Sequence, residues 1–311
     1  MFENGVIAIN GVAWEAGAAK IPAMDRSVLY ADSIYETIAA FGTRLICLDG
    51  HLRRLRWSAT ELGFEIPWGD TELKFEMEAL CAEVPAPKKN VRLMITRGVG
   101  GTLMPDRDLK PNKMVMVSPA RVEPESTYFE GLGLKRRART FTRRGAVPKC
   151  PGFYPDSILA LQAARKEGFD DALWSNADSE IQEATTSNIF FIGRDGDKVE
   201  ICTPAETSGI LPGTMRKKIL ELLTTAKIAA HEKIIYVEEI PRFDEAFLCS
   251  SVRGLVPVMR IDNHRLHSAR IDATFRHVER LFLAWVNAEL GLKLDWNTGR
   301  KPVLRGTEQT Q

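Results

Sequence analysis

Residues 146–156 read Ala146-Val147-Pro148-Lys149-Cys150-Pro151-Gly152-Phe153-Tyr154-Pro155-Asp156, and Glu183 follows the lysine 34 positions later, in Glu180-Ile181-Gln182-Glu183-Ala184. The lysine stands in a Pro/Gly-rich junction, between a breaker and the start of a helical stretch. Taken alone, it reads as a solvated loop lysine. The junction also separates two halves of different texture, and ligand sites favour such interfaces. Further on, Ile210-Leu211-Pro212-Gly213-Thr214-Met215 is a Pro-Gly turn that opens a helix at Thr214. The free N–H groups of a helix start form a phosphate cradle. Last, Cys249-Ser250-Ser251-Val252-Arg253-Gly254 places two hydroxyls at a strand end.

Working outward, residues 6–10, 44–48, 91–97 and 113–118 read as short strands. Leu52, Leu55, Ala59 and Leu62 fall at helical spacing within 51–63, with Gly63 at its end. Asp70 is placed as the cap of a helix over 71–83. Beyond the junction, helices are expected over 155–168, 214–228 and 269–290. Strands are expected at 171–174, 189–192, 199–202, 233–237, 246–249 and 255–259. Strands and helices alternate in both halves, which predicts a mixed α+β chain. The expected division is a small domain over 1–120, a connector over 121–148, a large domain over 149–296 and a loose tail over 297–311.

The 311 residues suit about two domains and need no staples to hold a core. Lys plus Arg is 42 against 41 for Asp plus Glu, a net charge of +1 that argues against a nucleic-acid binder. The basic stretch 135–144 then reads as a solvated strand face or connector. Five dispersed cysteines without a CxxC pair indicate neither a disulfide framework nor a zinc site, and no metal is expected. No secretory signal and no apolar run of about 18 residues is visible, so a soluble, cytoplasmic protein without a membrane partner is expected. Gly98-Val99-Gly100-Gly101 runs into Thr-Leu-Met-Pro, which is no helix start, so a nicotinamide site is rejected. Cys150 has no histidine near it to make it a hydrolase nucleophile.

With these motifs in this order, the chain resembles the fold type IV pyridoxal-phosphate enzymes, the class IV aminotransferase family, from about Asn10 to Arg280. The resemblance implies a two-domain, D-amino-acid aminotransferase-like fold with pyridoxal 5'-phosphate between the domains. Lys149 matches the lysine that holds the cofactor and shuttles the proton, and its pKa should be lowered. Tyr154 matches the tyrosine at the cofactor's phenolic oxygen. Glu183 matches the carboxylate facing the pyridine nitrogen, which keeps the ring an electron sink. Arg54 matches the phosphate arginine, where a guanidinium fork suits the ligand; its neighbour Arg53 faces solvent. Gly213, Thr214 and Met215 match the helix start at the phosphate, and Ser250 and Ser251 the last phosphate turn. The family's DRG and YGDG signatures stand here as Asp25-Arg26-Ser27 and Tyr30-Ala31-Asp32-Ser33, with Glu36 kept. Three glycines have become Ser27, Ala31 and Ser33.

The resemblance also implies an amino acid and a 2-oxo acid as substrates, and a homodimer whose pocket borrows from the second subunit. Tyr30 and Tyr35 are expected along the pocket, with Val28 and Met104 adding apolar wall. Arg92 either meets a substrate carboxylate or braces a loop. Val252 and Arg253 belong to the turn beside the substrate, where Arg253 either binds a second carboxylate or forms a rim salt bridge. The Arg-x-His trap of the D-amino-acid enzymes is absent near Thr102–Met104. The lyase branch often carries Thr where Glu36 stands and Arg-Gly-Tyr after the glycines, which Gly101-Thr102-Leu103 does not supply. Transamination of a small, hydrophobic or D-amino acid therefore stands ahead of an aminodeoxychorismate lyase-like activity, with an (R)-selective amine transaminase as a further alternative.

Overall fold

The computed structural model describes residues 4–140, 145–195, 198–291 and 293–297. Its first half is a six-stranded sheet of β1 (Val6–Ile9), β2 (Val12–Glu15), β3 (Ser33–Phe41), β4 (Arg44–Leu45), β5 (Lys88–Thr96) and β6 (Asn112–Pro119). The strand order is β2-β1-β6-β5-β3-β4, and all pairs are antiparallel. Helices α1 (Arg26–Tyr30), α2 (Leu48–Glu61) and α3 (Asp70–Glu83) complete this half. Side chains alternate across a strand, so β3 and β5 each present two faces. Ile34, Ile38, Val91 and Leu93 pack under Leu52 and Leu55 of α2 and Leu73 and Met77 of α3. Tyr35 and Thr37 of β3, with Lys88, Asn90 and Arg92 of β5, line a cavity shared with the second half.

The second half holds β7 (Leu132–Ala138), β8 (Asp171–Ser175), β9 (Ile181–Ala184), β10 (Asn188–Asp195), β11 (Lys198–Pro204), β12 (Ala230–Lys233), β13 (Phe243–Ser250), β14 (Gly254–Ile261) and β15 (His264–Arg265). The order is β12-β11-β10-β13-β14-β7-β8-β9, with β15 on β14. The terminal strand β9 packs back against β10 and β11, so the sheet curls. Helices α4 (Ser126–Phe129), α5 (Tyr154–Lys166), α6 (Thr214–Thr225) and α7 (Thr274–Leu290) accompany it. Phe275, Val278, Phe282 and Val286 of α7 and Met215 and Ile219 of α6 join Phe190 and Phe247 in one core, together with Ala39, Phe41 and Ile46 of the first half.

Several boundaries differ from the sequence expectation. The 121–148 segment is no mere connector: β7 sits inside the large sheet, parallel to both β14 and β8. Its basic side chains meet acids, Lys135 and Arg136 at Asp262 (3.2 and 3.3 Å) and Arg137 at Glu167. Residues 141–144 and 298–311 lie outside the described residues. Gly69, not Asp70, caps α3, and Asp70 instead accepts a hydrogen bond from Arg56 (2.8 Å). The 44–48 strand is cut short because α2 begins at Leu48. The strand expected at 233–237 is shifted to 230–233, pairing parallel with β11. Helix α7 starts at Thr274, where the Glu245 carboxylate accepts the Thr274 and Phe275 N–H groups (2.8 and 2.7 Å) and so caps it from β13.

The altered signature near residue 30 is also structural. Asp25, fully buried, accepts from Ser27, Thr96 and Asn112. Asp32 ties Arg26 (2.8 Å) to Arg97 (2.6 Å), and Arg26 also reaches the Thr102 and Leu103 carbonyls. Ala31 takes the left-handed conformation at φ 54° that a glycine would adopt more readily.

Candidate active site

The cavity between the halves measures about 570 Å³, and Lys149 faces it with Arg54, Tyr154, Glu183 and Ser251. The chain enters the cleft at Lys149 under control of both halves. Its carbonyl accepts the Tyr35 N–H of β3 (3.1 Å), and its own N–H donates to Ser58 Oγ of α2 (3.1 Å). The Lys149 ammonium lies 4.8 Å from the centre of the Tyr35 ring. Burial, reinforced by the Arg54 charge, brings its pKa down to about 8. The side chain remains partly accessible through the cavity.

Glu183, on β9, accepts the Leu211 N–H (3.2 Å) and the Asn188 amide (3.0 Å). Burial raises its carboxyl to about 7, although that N–H and the charges of Arg139, Lys149 and Arg54 pull the other way. Tyr35 and Tyr154 stack at 5.6 Å, and the Arg92 guanidinium lies 4.1 Å from the centre of the Tyr35 ring.

At the other end, Arg54 is committed behind the wall as well as at it. Its Nε and Nη2 bind both oxygens of Glu36 (2.8 and 2.6 Å), and Nη1 donates to the Pro212 carbonyl (3.0 Å). Gly213 caps α6, and a Cβ there would overlap Asn188 Oδ1 outright. Thr214 Oγ1, on the first helical residue, is buried without a hydrogen-bond partner among the described residues. Ser251 Oγ lies 3.1 Å from His51 Nε2, and Ser250 Oγ accepts the Arg253 N–H (3.3 Å).

The structure thus brings to one cavity Arg54, Lys149, Tyr154, Glu183, Gly213, Thr214, Met215, Ser250, Ser251, Tyr35, Arg92, Val252 and Arg253. Tyr30 is not among them. Its hydroxyl donates to the Gly101 carbonyl (2.7 Å) on the outer surface, because α1 turns away from the cleft. Val28 and Met104, 57% and 82% exposed, share that outer face. Arg253 is engaged with Asp171 (3.2 Å) and Ser187 (2.9 Å), which ties the turn to β8. The Val252 carbonyl accepts from Lys88 and Trp296 (2.8 and 3.2 Å).

Sequence reasoning missed several residues here. Arg139, stacked on Trp174 at 4.5 Å, lines the cavity and lies in the run read as a solvated face. Asn188 holds both Glu183 and the Leu211 carbonyl. Glu36 was visible as a kept signature acid, and its partner His51 lies three residues before Arg54 on α2, a helical spacing that could have signalled a shared face.

Two halves closed over a half-buried lysine, with an acid on one side and a helix start on the other, are the plan of a fold type IV enzyme. The Amino-transferase class IV family model matches residues 33–261, and the chain belongs to that family. The branched-chain-amino-acid aminotransferase of Pseudomonas aeruginosa is 26% identical over 307 residues, covering 95% of this chain and 97% of that protein. The D-alanine aminotransferase of Bacillus licheniformis is 25% identical, covering 88% of this chain and 94% of that one. The branched-chain aminotransferase of Thermoproteus uzoniensis, solved with norvaline, superposes with a TM-score of 0.77 at 23% identity, covering 92% and 95% of the two chains.

The chain is therefore an aminotransferase, with pyridoxal 5'-phosphate as its cofactor. The residues present fit that group. The orphaned Thr214 Oγ1 at the start of α6 awaits an acceptor, and the depressed amine and elevated acid face one cavity. No helix among the described residues is long and apolar enough to cross a membrane.

Proposed function

We propose that this chain moves an amino group between a small, hydrophobic or D-amino acid and a 2-oxo acid, with Lys149 as its catalytic base. The observation that carries this reading is the Lys149 amine and the Arg92 guanidinium both set against the Tyr35 ring, at 4.8 and 4.1 Å. Arg92 has no carboxylate within salt-bridge distance among the described residues, so it is free to meet a substrate carboxylate while the amine meets the carbon beside it.

Pyridoxal phosphate, when bound, supplies an electron sink for the charge left as the substrate loses its α-proton. Lys149 takes that proton and returns it at the neighbouring carbon. Its pKa of about 8 keeps a useful fraction of neutral amine near neutral pH. Glu183 would hold a proton at the pyridine nitrogen, and its own elevated pKa places it close to the value needed to share one. Tyr154 would donate toward the phenolic oxygen. Arg54, Ser250, Ser251 and the first amides of α6 at Thr214 and Met215 would bind the phosphate. The wall contributed by Phe153, Leu161 and Val147 suits a modest apolar side chain.

A homodimer is part of this reading. Val28, Leu29, Tyr30, Leu103 and Met104 form an exposed apolar surface at α1 and the 98–104 loop, and it supports a second copy of the chain docking there. Five dispersed cysteines without a CxxC pair support a reducing, cytoplasmic setting.

The test is the visible spectrum of the loaded protein, titrated separately with D-alanine, L-leucine and an (R)-amine. One of them should convert the absorption to that of the aminated cofactor, and which one does so sets the donor class. Lys149→Ala should lower turnover by about 10²–10⁴-fold with the fold intact. A spectrum that no donor alters would overturn transamination in favour of lyase chemistry.

A further inference from the structure

Behind the cavity wall, Glu36 of β3, His51 of α2 and Ser251 after β13 form a hydrogen-bonded line. His51 Nδ1 lies 2.7 Å from Glu36 Oε2, and His51 Nε2 lies 3.1 Å from Ser251 Oγ. Glu36 and His51 are fully buried, and only Ser251 reaches the cavity. The protons along this line can be assigned. Burial would raise the Glu36 carboxyl, but the Arg54 charge and hydrogen bonds outweigh it and hold it at about 2. Glu36 is therefore a carboxylate that only accepts, so Nδ1 is the protonated nitrogen of His51. Burial keeps the ring neutral, because it lowers the His51 pKa further than the Glu36 contact raises it. A neutral ring protonated at Nδ1 has a lone pair at Nε2. Ser251 must then donate its only proton to His51, which leaves its oxygen turning lone pairs to the cavity.

That arrangement is poor for a dianion. The charged groups facing His51 are Glu36 from β3, Arg54 from its own helix and Lys149 from the segment before α5. Glu36 cancels Arg54, and Lys149, lowered to about 8 by burial, is largely neutral above that pH. A phosphate between Arg54 and Ser251 would meet side chains of no net charge and a repelling oxygen. We propose that His51 takes up a proton from solvent when the phosphate group binds, turning Ser251 from an acceptor into a phosphate donor. The imidazolium donates to Glu36 through Nδ1 and to Ser251 Oγ through Nε2. The Ser251 proton is thereby released to a phosphate oxygen, with one proton gained and no covalent bond between heavy atoms made or broken. His51 is a positioning residue in this scheme, touching the phosphate only through Ser251. By linkage, affinity rises as pH falls through the His51 pKa of the complex, and it levels off once the free protein is also protonated.

This inference rests on the cofactor reading above, and the experiment separates the two. The probe is 4'-deoxypyridoxine 5'-phosphate, which keeps the phosphate but lacks the aldehyde that would engage Lys149. It is titrated into the cofactor-free full chain from about pH 7 to 9, where its phosphate is doubly charged. Heats in two buffers of different ionisation enthalpy count the protons taken up, and ¹⁵N-histidine spectra report the ring of His51 directly. The expected result is a His51 ring that changes from a neutral tautomer to the doubly protonated form on binding. Proton uptake should then approach one per site above that of His51→Asn, and wild-type affinity should fall by up to about tenfold per pH unit more steeply than the variant's. Glu183→Gln should keep this component while losing any proton held at the pyridine nitrogen. A His51 ring that stays neutral in the bound wild-type protein overturns the proposal while the cofactor reading stands. No binding of the probe at any pH overturns both. The ring signal is read in the wild-type chain, so the outcome holds even if His51→Asn fails to fold.

Discussion

Lys149 owes its reactivity to its surroundings. Burial and Arg54 lower its amine from 10.5 to about 8. Only the neutral amine attacks an aldehyde, so the rate of cofactor capture by the empty protein should rise about tenfold per unit below pH 8 and flatten above it. Stopped-flow absorbance across pH 6–10 (roughly the span that brackets the shifted and ordinary lysine values) would check this. A rise that continues to the ordinary lysine range would show the amine to be unperturbed. Lys149, Tyr154 and Glu183 stood out in the sequence through the family resemblance, whose motifs lie close together along one segment, and the structure brings all three to one cavity. His51 and Arg139 did not stand out, because what qualifies them is a partner far along the chain. His51 meets Ser251 200 positions away, and Arg139 reaches the cavity just past Lys135, Arg136 and Arg137, which are paired with acids.

At the level of elements, the long periodic helices and the apolar strands were readable, and the polar strands β7 and β9 were not. Helix α2 has its apolar stripe of Leu52, Leu55 and Ala59, so its existence followed from spacing. Strands β7 and β9 are short and carry charged or polar residues, and their place comes from pairing with partners more than a hundred residues away or from the curl of the sheet. The start of α6 is the element on which the proposed phosphate site depends. Gly213 lies against Asn188, whose amide holds both Glu183 and the Leu211 carbonyl. Gly213→Ala should displace Asn188, destabilise the fold by about 1–3 kcal/mol and weaken cofactor binding at least about tenfold. Urea unfolding and a cofactor titration measure the two effects. Unchanged affinity would mean that Asn188 does not position Glu183.

Across the whole molecule, the two halves are less separable than a small domain, a connector and a large domain would suggest. Phe41 of the first sheet packs on Trp296 at 5.3 Å, inside the core built around α7. Lys88 sits beside this contact, 4% exposed, 4.9 Å from the centre of the Trp296 ring, and donates to the Val252 carbonyl at 2.8 Å. Its amine fastens β5 to the turn carrying Ser251. Burial lowers its pKa from 10.5 to about 7. Between these values the folded chain binds fewer protons here than the unfolded chain. Stability should therefore rise with pH across that window, from a floor reached at about pH 7, below which this group is protonated in both states and adds no further change. Lys88→Met keeps the aliphatic stem and leaves the Val252 carbonyl to Trp296 Nε1. Urea midpoints taken from pH 7 to 10 should then lose a slope of up to about 1.4 kcal/mol per pH unit relative to the wild type. If the variant keeps the wild-type slope, Lys88 retains its charge in the fold, and the link between the halves is a buried ammonium on the Val252 carbonyl rather than a neutral amine.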